Sequence, residues 1–358
     1  MRVLFFTDGP ESPGSRFRCL QFFPHFEARG IHCEARFAYD AHYNDVFEHR
    51  WAPLYKLKGR LARVGHLLLD GGADLLFVHK TALALTGLPE WLRSLRGTPM
   101  VFDFDDAIYL GPGGASDPNR RRTFERVASV ADQLIAGNQH LLEVAGHPGK
   151  TTLIPSVVDT DKYVPASGRR ETGELIVGWM GTASNLPSLR TALPSLVAAV
   201  ETVPRARLRL VSNGLVPEYV GHPRVEQWRW NEAGELRAQQ SFDVGLMPLE
   251  NTELTRGKCG FKMIQYMAVG VPVLASAVGA NPEIFNGSGA GALVETGEDW
   301  GQALLRLLSS GGGLATMGAR GRTHAVTRYS VASVVDRYAE VFHKLAPGLQ
   351  APFLSPSP

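Results

Sequence analysis

At 358 residues the chain is long enough for two domains of ordinary size. Its 44% hydrophobic and 20% charged residues belong to a globular protein, and a net charge of +2 gives no footing for wholesale nucleic-acid binding. Three cysteines without paired spacing, Cys19, Cys33 and Cys259, offer neither a disulfide framework nor a zinc site and point to a reducing compartment.

The apolar start, Met1 to Phe6, is too short for a signal peptide and is broken by the Asp8–Pro13 stretch. No apolar run approaches the roughly 20 residues that span a bilayer, so the expected location is the cytoplasm. Arg2 to Phe6 reads as a buried strand, followed by a Gly/Pro-rich loop, Thr7 to Ser15. Ser15 is placed to cap a helix that runs to Ala28 or Arg29 and is closed by Gly30. The loop lacks Gly-x-Gly-x-x-Gly, so there is no dinucleotide fingerprint.

Residues 51–69 carry a helical leucine stripe, Leu54, Leu57, Leu61, Val64 and Leu68, among Lys56, Lys58, Arg60 and Arg63. Two readings follow. Such a helix packs its stripe on a sheet, which is the expectation, or lies on an anionic membrane surface, which leaves peripheral membrane contact through 51–69 as the alternative. A strand over Asp74 to Val78 ends in His79 and Lys80, and a helix is expected over Thr81 to Leu95. The strand Met100 to Phe104 delivers Asp103, Asp105 and Asp106 at its exit, where catalytic or acceptor groups sit in doubly wound folds. The Gly111–Pro118 loop is a candidate lid. The first half ends with a helix from Asn119, a strand at 133–136, a helix capped by Asn138 and a strand at 151–154. A polar run, 165–172, reads as a hinge.

The second half repeats the α/β rhythm. After the strand Leu175 to Trp179, the tight turn Gly181-Thr182-Ala183-Ser184-Asn185 precedes a helix and suits phosphate or ribose contact. Further strands fall at 207–211, 225–228 and 243–247. A polar loop, 250–257, leads into a helix over Cys259 to Val269 that Gly270 and Pro272 end. Lys258 and Lys262 lie at its start beside Arg256. Cations are disfavoured at a helix N-terminus unless an anion is bound, and Gly257 and Gly260 would let a diphosphate approach the backbone. The strand 273–276 is followed by a loop opened by Gly279 that carries Asn281 and Glu283. Helices at 299–308, 315–328 and 330–345 complete the chain, and residues 347–358 read as a disordered tail.

These motifs resemble the family-four retaining glycosyltransferases of the GT-B fold. Ala268, Gly270, Pro272 and Val273 match the family's Ala-x-Gly-x-Pro-Val; Gly279 to Glu283 resembles its sugar-side loop; Pro155 to Thr160 resembles its Pro-Asn-Gly-Val-Asp-Thr linker. Where the family's Glu-x7-Glu pair falls, this chain has Gly257 and Gln265, as in a subgroup with Gly-Lys-Cys-x-Phe-Lys, here Gly257 to Lys262. The resemblance implies two Rossmann-like doubly wound domains facing across a cleft. Residues 1–165 would take the acceptor and 166–328 the donor, and a helix at 329–346 would cross back to the first domain. It implies transfer of a sugar from a nucleoside-diphosphate sugar, UDP or GDP type left open, to a glycan, lipid-linked or small-molecule acceptor, with retention and without cofactor or metal.

On that resemblance the catalytic set is Lys258, Lys262, Glu283 and Asp106. The donor would meet Gly14, Gly181, Thr182, Arg229, Trp230, Gly257, Gly260, Phe261, Gln265, Ala280 and Asn281, with Gln265 at the ribose and Arg229-Trp230 at the base. Ser15, Arg16, Arg18, His79, Asp103 and Asp105 form the acceptor side. Asp103-Phe104-Asp105 mimics the metal pair of the other major glycosyltransferase fold, which the doubly wound pattern does not suit. Two rival readings remain: a nucleotide-sugar epimerase or hydrolase, and a non-catalytic nucleotide-sugar-binding protein.

Overall fold

The computed structural model describes residues 1–40, 52–168, 173–310 and 313–347. The expected tail beyond 347, the end of the expected hinge and Trp51 lie outside the described residues. The chain divides into two compact units, residues 1–157 with 331 onward, and Val158–Ser330. The crossing at 157/158 precedes the expected 165/166 boundary. Val158 belongs to the second unit because its N–H donates to the Tyr329 carbonyl (3.0 Å) and it bridges Ser330.

In the first unit six parallel strands run β1 (Arg2–Thr7), β2 (His32–Phe37), β3 (Leu75–His79), β4 (Met100–Phe104), β5 (Gln133–Ala136) and β6 (Thr151–Leu153), in spatial order β2-β1-β3-β4-β5-β6. Leu75–His79 and Met100–Phe104 are buried throughout, which explains their near-continuous apolar sequence. The helices are α1 (Pro13–Arg18), α2 (Phe23–Glu27), α3 (Ala52–Leu69), α4 (Leu88–Ser94), α5 (Pro118–Val130) and α6 (Gln139–Ala145), and the last helix of the chain, Val331–Leu345, also belongs here. Its Tyr338 and Phe342 pack on Phe22 (4.9 Å between ring centroids) and Phe26 (5.3 Å), in an aromatic core with Phe5 and Phe77.

The long helix expected from Ser15 is two short ones. Ser12 caps the first, because Pro13 suits the first helical position, and Ser15 lies inside it. Cys19 leaves helical geometry, and Pro24, lacking an N–H, sits at the start of the second. Likewise α4 starts only at Leu88, after Gly87 and with Pro89 in its first turn. Helix α3 matches its expected span but not its expected orientation. Leu54, Leu57 and Leu61 are 62%, 52% and 64% exposed, while Ala52, Gly59, Arg63 and Leu67 are buried. A Cβ at Gly59 would fall 2.2 Å from the Tyr39 ring, so only glycine admits this close approach. The expected lid, 111–118, contains a short turn at Pro112–Gly114, with Asp117 capping α5.

The second unit has six parallel strands, β7 (Leu175–Met180), β8 (Ala206–Ser212), β9 (Val225–Arg229), β10 (Val244–Met247), β11 (Val273–Ser276) and β12 (Gly291–Val294), in order β12-β11-β10-β7-β8-β9. Between them lie α7 (Leu186–Thr202), α8 (Glu232–Gln240), α9 (Glu253–Arg256), α10 (Phe261–Ala268) and α11 (Asn281–Phe285), followed by α12 (Trp300–Ser309) and α13 (Leu314–Arg328). The chain's last helix is α14 (Val331–Leu345). The expected polar loop 250–257 contains α9, held by a reciprocal Thr252–Thr255 capping box. Helix α10 starts at Phe261 rather than Cys259, because Gly260 takes a left-handed φ of 63°. Gly270, at φ 73°, follows its end.

In each sheet the winding reverses once, between β1 and β3 and between β7 and β10. Such switch points open a crevice at the carboxyl ends of the strands. Among the described residues, no helix is long and apolar enough to cross a membrane.

Candidate functional site

In the first unit the switch point gathers side chains from β1, β3, β4 and α1. His79 and Asp103 are register partners on adjacent strands, and their side chains meet at 2.7 Å, Nδ1 to Oδ2. Arg18 donates through Nε to Asp103 Oδ2 (3.1 Å), through Nη2 to Oδ1, and through Nη1 to the Ile154 carbonyl (3.0 Å). All three side chains are at most 1% exposed. Burial alone would raise the Asp103 pKa, but the Arg18 charge and the His79 hydrogen bond outweigh it and hold it below the usual carboxylate range. Arg18 and Asp103, expected on the acceptor side, instead satisfy one another and fix the His79 ring.

The other ring nitrogen, His79 Nε2, is buried without a hydrogen bond and lies 3.8 Å from Asp105 Oδ1. A Cβ at Gly14 would lie 2.5 Å from that nitrogen. Gly14, expected at the donor, stands in the first turn of α1 against His79. Ser15 is fully buried, bonded to Thr7 (2.7 Å) and Ser12 (2.8 Å), so its hydroxyl closes the loop rather than facing an acceptor. The Arg16 guanidinium lies 4.7 Å from the Phe17 ring centroid.

Lys80 follows His79 in a left-handed conformation (φ 62°), rare for a side chain of this length. Its amine meets Asp106 at 3.1 Å and Asp105 at 3.5 Å. Burial pulls the Lys80 pKa down, but Asp105, Asp106 and Asp8 outweigh it, so it is raised. Asp105 is lowered: burial opposes, and Lys80, His79 and Arg18 prevail. Asp8 follows the same pattern with Arg63, Lys80 and His79. Arg63 reaches from α3 to Asp8 (2.8 Å) and to the carbonyls of His79 and Lys80. Asp103's oxygens are engaged by Arg18 and His79, so the Asp-x-Asp spacing does not form a paired carboxylate ligand set. Neither Asp8 nor Arg63 was expected at the site from sequence; the available signal was Asp8's place just after β1.

In the second unit the switch point brings the β7–α7 turn to the lysines. Lys258 Nζ donates to Asn185 Oδ1 (2.9 Å), and a Cβ at Gly181 would lie 2.8 Å from Lys262 Cε. Lys262 Nζ is 6.0 Å from the Trp179 ring centroid. Thr182 is exposed in that turn, bonded to Ser184 and Asn185. Lys258 stands in the link between α9 and α10 beside buried Gly257, Lys262 in the first turn of α10 next to half-buried Phe261.

Asn281 and Glu283 lie in the first turn of α11 rather than in a loop. Asn281 is fully buried. Its Nδ2 donates to the Ser276 carbonyl (2.9 Å), whereas its Oδ1 has no hydrogen-bond partner. A Cβ at Gly260 would fall 3.1 Å from that oxygen. Ala280 is buried beside it and Glu283 is exposed. Tyr329 is pushed up to about 12 by burial and then by the Glu283 charge.

Gln265 and Trp230 are engaged elsewhere than expected. Buried Glu235 accepts from Gln265 Nε2 (3.1 Å), Tyr163 OH (2.6 Å) and Trp230 Nε1 (3.2 Å). The amide expected at a ribose and the indole expected at a base thus serve one internal carboxylate. Arg229 is exposed at the end of β9, and Arg209 stacks 3.9 Å over the neighbouring Trp228 ring. Glu235 went unnoticed in sequence because its three donors lie far away along the chain or on a loop. Among the described residues, no group of three or more His, Cys, Asp or Glu is arranged to hold a metal ion.

Residues 174–310 match the family model described as glycosyl transferases group 1. The matched span lies within the second unit and includes the β7–α7 turn, both lysines and Asn281. The D-inositol 3-phosphate glycosyltransferase of Segniliparus rotundus is 26% identical over 286 residues, covering 70% of this chain and 62% of that protein. The match thus spans about three fifths of the relative's length. Among solved structures, sucrose-phosphate synthase from Thermosynechococcus elongatus superposes with a TM-score of 0.72 at 18% identity, covering 98% of this chain and 100% of that one. The Anabaena protein HepE in complex with UDP-glucose gives 0.67 at 17% identity, covering 96% and 100%. These likenesses and the two parallel six-stranded sheets establish the fold as GT-B, with two Rossmann-like α/β units.

Proposed function

We propose that the chain is a retaining, metal-independent glycosyltransferase that takes a nucleoside-diphosphate sugar as donor. One observation carries the reading: Lys258, Lys262 and the Gly181 turn come together at the switch point within the span that matches the glycosyl transferases group 1 model. In the reaction, the bond between the anomeric carbon and the diphosphate breaks and the acceptor's nucleophilic atom bonds to that carbon. The acceptor gives up its proton, and the nucleoside diphosphate leaves with the electron pair. The growing charge on that leaving group needs fixed positive charge, which two lysines and the start of α10 supply without reorganisation. Gly181 lets Lys262 and Trp179 close on the turn, and Gly260 lets Ile284 pack against the start of α10. Asn281 Oδ1 would accept from a sugar hydroxyl. In the first unit, His79, oriented by Asp103, presents Nε2 on the acceptor side. The UDP-glucose held by HepE supports a nucleotide-sugar donor of this general kind.

The test is Lys262→Ala, with turnover and donor affinity measured separately. Loss of one such contact lowers kcat by about 10²–10³. Turnover within a few-fold of wild type would overturn the assignment. Donor consumption without any acceptor would instead identify an epimerase or hydrolase, and donor binding with no turnover across a broad acceptor panel a binding protein.

A further inference from the structure

Two neighbouring helices of the first unit face the wrong way for a protein surrounded by water. Helix α3 buries Gly59 and Arg63 and turns Leu54, Leu57 and Leu61 outward. Helix α4 packs against it, buries Pro89, Glu90 and Arg93, and leaves Leu88, Trp91 and Leu92 47%, 41% and 39% exposed. Single exposed leucines are ordinary, but a leucine stripe at helical spacing on one helix, beside a second inverted helix, marks an interaction surface.

The buried polar face is anchored specifically. Arg63 bonds Asp8 and the carbonyls of His79 and Lys80, and Glu90 accepts from the Ala82 N–H (2.6 Å). The inversion is therefore built into the packing. Charge then selects the occupant. Helix α3 holds no Asp or Glu, the one acid of α4 is the buried Glu90, and exposed Lys58, Arg60 and Arg96 border the leucines.

We infer that α3 and α4 form a docking face for an anionic lipid bilayer. The leucines enter the headgroup–acyl boundary, and the cations meet lipid phosphates. A second copy of the same face would set these cations against one another. The inference stands apart from the glycosyl-transfer reading, since it uses no donor-side residue.

Flotation of the full chain with phosphatidylglycerol-containing vesicles, against pure phosphatidylcholine, tests it. The expected result is salt-sensitive binding to the anionic vesicles alone. The triple variant Leu54→Gln, Leu57→Gln, Leu61→Gln should lower the bound fraction at least about tenfold with an unchanged thermal midpoint, because the side chains are exposed. Lys58→Gln with Arg60→Gln should weaken binding about fivefold per cation removed, ~1 kcal/mol each. Three results would overturn it: no flotation of wild type at low salt, unaltered flotation of both variants, or a leucine-dependent dimer in sedimentation velocity without vesicle binding. The thermal shift given by UDP or GDP should be the same in wild type and leucine variant. A chain that floats but binds neither nucleotide would sink the transferase reading and leave this one intact.

Discussion

Asp103→Asn removes the carboxylate charge that hydrogen-bonds both Arg18 and His79. Arg18 is 1% exposed and Asp103 fully buried. The variant leaves the guanidinium without its counter-ion in a place water does not reach, which costs about 3–5 kcal/mol. For a unit of this size, ~2–4 °C of melting temperature follows each kcal/mol, so the midpoint at pH 7 should fall by about 6–20 °C. The pH dependence has a definite sign. Burial works to raise the Asp103 pKa, but Arg18 and His79 hold it below the ordinary carboxylate value. Its stabilisation is therefore complete above the unfolded value of about 3.9 and is lost as pH falls through the lower folded value. The gap between wild type and variant should be widest above about pH 4 and close in stronger acid. Asp8 and Asp105 are lowered too, so wild type alone does not isolate this effect; the difference curve does. Melts followed by circular dichroism across pH 2–7 provide the measurement. A variant within about 1 kcal/mol of wild type at pH 7, or a gap that widens in acid, would refute the account. Replacing both partners, Arg18→Met with Asp103→Leu, should recover much of the loss seen for Asp103→Leu alone.

Three further outcomes follow from the geometry. Gly260→Ala forces a left-handed residue and sets a Cβ 2.2 Å from Ile284 Cδ1, so it should destabilise by about 2 kcal/mol or more in a chemical melt and weaken donor binding by isothermal titration. Glu235→Leu leaves the donors of Tyr163, Gln265 and Trp230 without their acceptor, and a loss of about 3 kcal/mol or more is expected by urea titration; an unchanged midpoint would dismiss the hub. Asp106→Ala frees Lys80 of one carboxylate and should raise KM for acceptor while donor affinity by titration stays within about twofold, about 0.4 kcal/mol; equal changes in both would remove Asp106 from the acceptor side.

What could be read in advance depended on range along the chain. Strands such as Leu75–His79 announced themselves because a parallel strand buried on both faces needs an apolar run. The helix start at Gln139 was visible through the cap Asn138. Helix α3 was legible as a helix, but its periodicity defines a stripe and not the direction in which the stripe points. That direction is set by Tyr39, which admits only Gly59, and by carbonyls that call for Arg63. The helix break near Cys19 had a signal in Pro24, which the run of periodic residues concealed. Arg18 and Asp103 lie 85 residues apart, so nothing local distinguished a buried ion pair from exposed charges. His79 was singled out by the family resemblance, which places a His near a strand end; that Asp103 stands beside it follows only from the β3–β4 register.

The buried polar atoms of the two units separate structure from chemistry. Arg18 and Asp103 are matched by neighbours, and Glu235 gathers three donors, so these groups shape the fold. His79 Nε2 and Asn281 Oδ1 are buried with no hydrogen-bond partner. Each such atom costs about 1–3 kcal/mol if nothing meets it. Each also faces a glycine, Gly14 at 2.5 Å and Gly260 at 3.1 Å from where a Cβ would stand. A side chain there would close the space. Both atoms lie at the carboxyl ends of parallel strands, His79 as the last residue of β3 and Asn281 after β11, where doubly wound sheets take their ligands. A buried polar atom without a hydrogen bond, a glycine beside it and a position at a strand's carboxyl end coincide in each unit. A bound polar ligand would offset that cost in both places.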